Sequence, residues 1–305
     1  MGARGAEVRP KQRPMTDTAP AIERIGVVGC GLMGSGIAEV AARAGLDVMI
    51  PEIAESAADA GRARLVKSLD RGHGAGKMTE EERDEAVARL SFTTDLGDLA
   101  DRQLVVEAVV EDEAMKVDIF QQLDRVVTAD GAILASNTSS IPIMKLGTAT
   151  QRPEQVIGIH FFNPVPVLKL VELVTSLMTS EETTERSEAF AIELLDKRVI
   201  KSQDRAGFVV NALLIPYLLS AIRMMESGFA SADDIDTGMV EGCSHPMGPL
   251  HLTDLIGLDT TLAVAESLYE EFKEPLYAPP PLLSRMVDAG LLGRKAGRGF
   301  YDYHR

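Results

Sequence analysis

The stretch "RIGVVGCGLMGSGIAEVAARAG" restricts what this chain can fold into more than any other. Arg24 to Gly29 is a short β-branched run that ends in glycine, and Met33 to Gly45 carries apolar residues at helical spacing and closes on another glycine. Between them Gly29, Gly31 and Gly34 form G-x-G-x-x-G at the mouth of the helix, enclosing Leu32 and Met33. Glycine at these positions permits a tight turn and lets a pyrophosphate approach the free N–H groups of the helix start. A second strand, Asp47 to Ile50, is followed by Glu52, whose carboxylate suits the hydroxyls of an adenosine ribose and repels a 2′-phosphate. The expectation is therefore an NAD site rather than an NADP site. The competing reading is an ordinary turn followed by a solvated acid at a strand end.

The texture downstream continues the alternation. A helix is expected from about Ala54 to Arg71, and Thr79 with Glu82 offers a capping box that opens a helix to about Arg89. "QLVVEAVV" and "AILAS" read as strands flanking a helix near Glu113 to Val127. "VIGIHF" and "KLVELV" add two more strands, and a polar helix follows Ser180. Such repeated alternation with apolar strands predicts an α/β architecture, a Rossmann-type doubly wound, mostly parallel sheet covered on both faces. After about Asp204 the pattern turns helical: "GFVVNALLIPYLLSAIRMMESG", which contains Pro216, then a helix opened by "SADD", then "GLDTTLAVAESLYEEF". The expected organisation is a disordered tail over 1–20, a dinucleotide-binding domain over 21–204 and an all-α domain over 205–305. The first helix of that last domain is apolar nearly all round, so burial between two copies of the chain, a homodimer, is expected.

Charge and cysteine usage narrow the partners. A formal charge of −15 repels nucleic acid and anionic membranes before any specific contact forms. No apolar run reaches the roughly 18 to 20 residues of a membrane-spanning helix. The first twenty residues lack the apolar core of a secretory signal, and Met1 and Met15 both stay open as the start. Cys30 and Cys243 stand far apart without metal-ligand spacing, so no metal is expected and a reducing cytoplasm fits.

Beyond the glycine turn, the segments "GVVGCGLMGSGIA", "VVEAVVED", "ASNTSS", "HFFNPVPVLKLVELV", "DRAGFVVNALLIPYL", "HPMGPLHLTDLIGLDT" and "GRKAGRGFYDY" occur in this order. In order and spacing the chain closely resembles the L-3-hydroxyacyl-CoA dehydrogenase family, in particular its stand-alone short-chain members, the 3-hydroxybutyryl-CoA dehydrogenases. The resemblance runs from about Ile22 to Tyr303. It implies oxidation of a short-chain 3-hydroxyacyl-CoA to the ketone with NAD as hydride acceptor, in a cleft between the two domains.

The resemblance also assigns residues. Oxidising a secondary alcohol requires removal of the hydroxyl proton as hydride leaves the same carbon, and a histidine suits the proton transfer. His160 matches the family's base, and Glu172 matches the glutamate that orients it. Ser139 matches a serine that contacts the substrate hydroxyl beside the nicotinamide, and Asn211 an asparagine that holds the substrate oxygen. Glu111, Lys116, Asn163 and Lys295 match positions that line the cofactor site. For the CoA phosphates the family pattern is loose. Arg62, Arg64, Lys67 and Arg71 form an electropositive stretch, of which Lys67 is the residue carried over. Two other readings stay open: a dehydrogenase of free sugar acids on the same fold, disfavoured by "HFFNP" and "HPMGP", and a non-catalytic NAD-binding protein on the same scaffold.

Overall fold

The computed structural model describes residues 21–304, so the expectation for the tail lies outside the described residues. Among the described residues eight strands form one sheet. In chain order the elements are β1 (Arg24–Val28), α1 (Leu32–Arg43), β2 (Asp47–Pro51), α2 (Glu55–Gly74), α3 (Glu80–Ala88) and β3 (Leu90–Thr93). They continue with β4 (Leu104–Glu107), α4 (Glu113–Val126), β5 (Ile133–Ser136), α5 (Ile143–Thr148), β6 (Val156–Phe161), β7 (Leu170–Thr175), α6 (Glu181–Ala189) and β8 (Arg198–Gln203). Strand order is β3-β2-β1-β4-β5-β6-β7-β8, and every pairing is parallel except β6 with β7. The order reverses between β1 and β4, the place where such sheets open a ligand crevice.

Alternation along the strands sorts side chains into two cores, one on each face. Ile25, Val27, Leu104 and Val106 pack on the α1 side, while Val28, Val105 and Leu134 pack with Phe120 and Leu123 of α4. The inner strands β4, β5 and β6 are buried at every position, as parallel strands covered on both faces must be. Two strands add to those expected from apolar runs. "LSFT" and "RVIKSQ" form β3 and β8, and their mixed polarity follows from their place at the two edges of the sheet. The Thr79–Glu82 capping box is formed as expected, with the Thr79 amide donating to Glu82 Oε2 at 2.7 Å and the Glu82 amide to Thr79 Oγ1 at 3.1 Å.

From Val210 the chain is helical: α7 (Val210–Glu226), α8 (Ala232–Cys243), α9 (Pro249–Ile256), α10 (Leu258–Phe272) and α11 (Pro281–Asp288). Helix α7 starts three residues later than the apolar run, because Gly207 and Phe208 hold left-handed φ values of 76° and 47°. For a phenylalanine that conformation is strained, and the ring's burial against the sheet core offsets it. One face of α7, with Ile215, Leu219 and Ile222, meets α10 and α11 in a third core. Leu213 and Met224 on the same helix remain exposed, so α7 is not buried all round within one chain. Among the described residues no helix is long and apolar enough to cross a membrane.

Candidate active site

Parallel strands present their C-terminal ends along one edge, and that edge gathers most of the residues singled out in the sequence. The turn after β1 carries the three glycines, and each has a distinct steric reason. Gly29 holds φ 88°. A Cβ on Gly34 would lie 1.9 Å from the Gly29 carbonyl oxygen, so only glycine lets α1 close on the turn. A Cβ on Gly31 would meet nothing within 4 Å, which leaves open space in front of the α1 N-terminus. No side chain caps that terminus, so its N–H groups are free for an anion. Leu32 and Met33 form the first turn, with Leu32 exposed toward the same opening.

Glu52, just past β2, reaches back to this turn. Its Oε1 accepts from the Cys30 amide at 2.5 Å, while Arg64 of α2 donates to the Cys30 carbonyl at 2.5 Å. The acid is thus fixed beside the glycines, and the residues present fit the adenosine half of NAD. Burial, and then the Glu52 charge, push the Cys30 thiol up to about 12 against the opposing pull of Arg64. Cys30 is therefore a packing residue rather than a nucleophile.

The ends of β4 and β5 are tied by a buried ionic network. Lys116 is 1% exposed, and its ammonium lies 3.0 Å from Glu107 and 2.8 Å from Glu111. Glu107, fully buried, also accepts from Ser136 Oγ at 2.6 Å and from the Val109 amide at 2.8 Å. Glu111 Oε1 collects the loop after β5: the Thr138 hydroxyl at 2.5 Å, the Ser139 amide at 2.9 Å and hydroxyl at 3.3 Å, and the Ser140 amide at 3.2 Å. Partial burial raises the Glu111 carboxyl, but Lys116 and these donors outweigh it and hold the group below the usual carboxylate range. Lys116 is therefore buried and linked to the serine loop through Glu111.

His160 and Glu172 are direct cross-strand partners on β6 and β7. Their side chains meet at 2.7 Å, His160 Nδ1 to Glu172 Oε2, with His160 7% exposed and Glu172 fully buried. The antiparallel turn-back of β7, the one break in the parallel sheet, is what places a residue twelve positions later directly opposite. Phe162 and Phe208 flank the imidazole, with ring centroids 4.6 and 5.5 Å away. Glu172 Oε1 accepts from the Val209 and Val210 amides, at 3.1 and 2.9 Å, so the carboxylate sits at the N-terminus of α7. That contact sets Asn211 in the first turn of α7, next to the amides that Glu172 holds.

Other expected residues are placed less centrally. Asn163 is exposed two residues beyond β6. Lys295 stands on the C-terminal hairpin and pairs with Asp259 at 2.6 Å, while Asp254 anchors that hairpin through the Phe300 and Tyr301 amides and the Tyr303 hydroxyl. The basic stretch on α2 divides: Arg62 lies 4.5 Å over the Phe92 ring, whereas Arg64, Lys67 and Arg71 share a face at helical spacing. Residues not singled out in the sequence complete the frame. Glu107 and Thr138 order the β4 and β5 ends, and Asn137 Oδ1 accepts the Phe161 amide at 2.9 Å, joining the serine loop to the histidine strand. A charge inside the apolar run "LVVEAVV" was the available signal for Glu107, since a buried carboxylate needs partners.

Comparison with known proteins adds the lineage of this arrangement. The family model described as 3-hydroxyacyl-CoA dehydrogenase, NAD binding domain, matches residues 24–205, and the one described as 3-hydroxyacyl-CoA dehydrogenase, C-terminal domain, matches residues 207–303. A 3-hydroxybutyryl-CoA dehydrogenase of Mycobacterium tuberculosis is 64% identical over 283 residues, 93% of this chain and 99% of that protein. The mitochondrial hydroxyacyl-coenzyme A dehydrogenase of Mus musculus is 42% identical over 92% of this chain and 91% of its own. The crystal structure of an (S)-3-hydroxybutyryl-CoA dehydrogenase from Ralstonia eutropha superposes with a TM-score of 0.89 at 46% identity, covering 93% of this chain and 100% of that one.

Proposed function

This chain belongs to the 3-hydroxyacyl-CoA dehydrogenase family of NAD-dependent oxidoreductases, and from that premise we propose that it interconverts (S)-3-hydroxybutyryl-CoA and acetoacetyl-CoA through a His160–Glu172 acid–base pair. The observation that carries the proposal is the 2.7 Å bond between His160 Nδ1 and a fully buried carboxylate. With Nδ1–H committed to Glu172, Nε2 is the nitrogen left to take the proton of the substrate hydroxyl. Glu172 fixes this tautomer and stabilises the imidazolium that forms. The Val209 and Val210 amides at the start of α7 donate to its other oxygen and hold the carboxylate in place.

In the oxidation, the O–H proton passes to His160 Nε2 as the C3–O bond becomes a carbonyl and the C3 hydride departs. Bound NAD supplies the hydride acceptor. Gly29, Gly31 and Gly34 with the α1 N-terminus would hold its pyrophosphate, Glu52 would hold the adenosine ribose, Asn163 would stand beside the nicotinamide, and Glu111, Lys116 and Lys295 would line the rest of the cofactor site, Lys116 through Glu111. Ser139 and Asn211, one from each domain, position the substrate oxygen. Lys67, on the exposed face of α2, meets the CoA phosphates. The working division is a cofactor domain over 21–204 and a substrate domain over 205–305 that also forms a homodimer, in the cytoplasm.

The test is a spectrophotometric assay of NADH oxidation with acetoacetyl-CoA, free acetoacetate and a sugar acid. Acetoacetyl-CoA is expected to be reduced efficiently and free acetoacetate hardly at all, because the binding energy of the remote CoA is missing. Efficient turnover of a free acid moves the chain to another substrate class.

A further inference from the structure

Away from the site just described, a cavity of about 280 Å³ opens beneath the connection between β6 and β7. Arg43 from the last turn of α1, Lys77 from the α2–α3 turn, Lys169 from that connection and Lys197 from the turn before β8 line it, together with Glu82 and Asp196. Four cations against two carboxylates give the lining a formal charge of +2, on a chain whose total is −15. The two acids are already engaged, Glu82 in its capping box and Asp196 with Lys169. Arg43 reaches the buried Glu39 only at 3.6 Å.

Lys197 is the unusual member. It is 6% exposed, and its ammonium donates to the Val165 carbonyl at 2.5 Å and the Leu168 carbonyl at 2.7 Å. An ammonium has three donors, so one remains for a group inside the cavity. Burial, then the charges of Lys169 and Arg43, hold the Lys197 pKa below the usual lysine value despite Asp196. The buried ammonium is thus held by two carbonyls with two other cations nearby, an environment that an added anion would relieve.

We propose that this cavity is a second ligand site, one that takes a small phosphorylated anion, with Lys197 and Lys77 as its principal contacts and Arg43 and Lys169 completing the charge. A phosphate or pyrophosphate group can accept from several of these donors at once, fits a space of about 280 Å³, and supplies the charge that the acids of the lining do not. The site is contiguous with the hairpin that carries His160 and Glu172, since the carbonyls clamped by Lys197 lie in the connection between their strands. It stands apart from the Gly29–Gly34 turn and does not rest on the proposed reaction.

The experiment is isothermal titration of inorganic pyrophosphate, and in a second arm adenosine 3′,5′-bisphosphate, into the full chain saturated with NADH, at constant ionic strength. Saturable binding is expected, weakened about tenfold or more by Lys77→Gln and further by Lys77→Gln with Arg43→Gln. Lys273→Gln, which removes the same charge at an exposed position on the helical domain, leaves it unchanged. Stronger binding of pyrophosphate assigns the site to free phosphates, and stronger binding of the bisphosphate assigns it to those of a nucleotide. Absence of saturable binding with both probes overturns the proposal, as does equal affinity in Lys77→Gln and Lys273→Gln. Lys77 is an exposed turn residue, so the single variant keeps the fold, which circular dichroism verifies.

Discussion

Replacing Glu172 by glutamine separates chemistry from scaffolding at the His160 pair. The carboxylate accepts three hydrogen bonds, from His160 Nδ1 and from the Val209 and Val210 amides, and is fully buried. A glutamine of the same shape keeps an oxygen for the two amides, so the start of α7 stays anchored. Its NH₂ group then faces Nδ1, which can pair with it only as an acceptor. The ring proton moves to Nε2, the nitrogen that takes the substrate proton in the proposed reaction. An equivalent carboxylate-to-amide change in a Ser-His-Asp triad lowers kcat by about 10⁴ through the wrong tautomer. For Glu172→Gln a fall in kcat of about 10² to 10⁴ is expected, or about 2.7 to 5.5 kcal/mol in the barrier. Loss of charge at the two amides costs about 1 to 2 kcal/mol of stability, a drop of roughly 2 to 8 °C in Tm. NADH affinity, assigned in the proposed reading to the glycine turn and Glu52, is expected to be unchanged. The assay is steady-state reduction of acetoacetyl-CoA by wild type, His160→Gln, Glu172→Gln and the double variant, with NADH titrations alongside. The two single losses are expected to be far from additive, because the pair acts as one unit. A Glu172→Gln enzyme within about threefold of wild-type kcat would refute the reasoning. So would a double variant that loses the product of the two separate factors.

Three further outcomes follow from the same geometry. NAD(H) is expected to be preferred over NADP(H) by roughly tenfold or more in kcat/KM, and Glu52→Ala narrows the gap chiefly by weakening NAD binding; equal use of both cofactors by the wild type contradicts the assignment of Glu52. With its thiol pushed up to about 12 and its side chain buried, Cys30 resists iodoacetamide in the native chain near pH 8 while the exposed Cys243 reacts, a contrast that mass spectrometry reads directly. The depressed Glu111 carboxyl contributes stability that is present above its unfolded value near 4.5 and lost as pH falls through the lower folded value. Glu111→Gln therefore lowers Tm at pH 7 and flattens its decline below about pH 4.5, whereas parallel curves for the two proteins contradict the network.

Legibility in the sequence followed the range of the interaction. The glycine turn, the capping box at Thr79 and the apolar inner strands are local or periodic, and the structure has them where composition and spacing place them. The edge strands β3 and β8 are not, because an edge strand is half solvated and its alternation is diluted by polar residues. Charge clusters misled in one respect: the four basic residues of α2 look like one patch in the sequence, but helical geometry turns Arg62 toward Phe92 and away from the others. The late start of α7 was hidden for a similar reason, since nothing in "GFVV" announces that Phe208 adopts a left-handed φ.

What no local pattern encodes is that Glu172 has two clients. The strand pairing makes it the partner of His160, but its second oxygen holds the first two amides of the helical domain. A buried carboxylate with only the histidine would face a desolvation cost that one neutral hydrogen bond offsets poorly. The α7 amides supply the remaining donors, and they do so only when the second domain is docked. The strained Phe208 has its place in the same logic, because its left-handed turn aims those amides at the sheet while its ring packs beside His160. Orientation of the imidazole and docking of the domain that carries Asn211 are thus two readings of one set of hydrogen bonds. On this geometry, a substitution that disturbs the 207–210 junction lowers kcat without touching either cofactor or substrate.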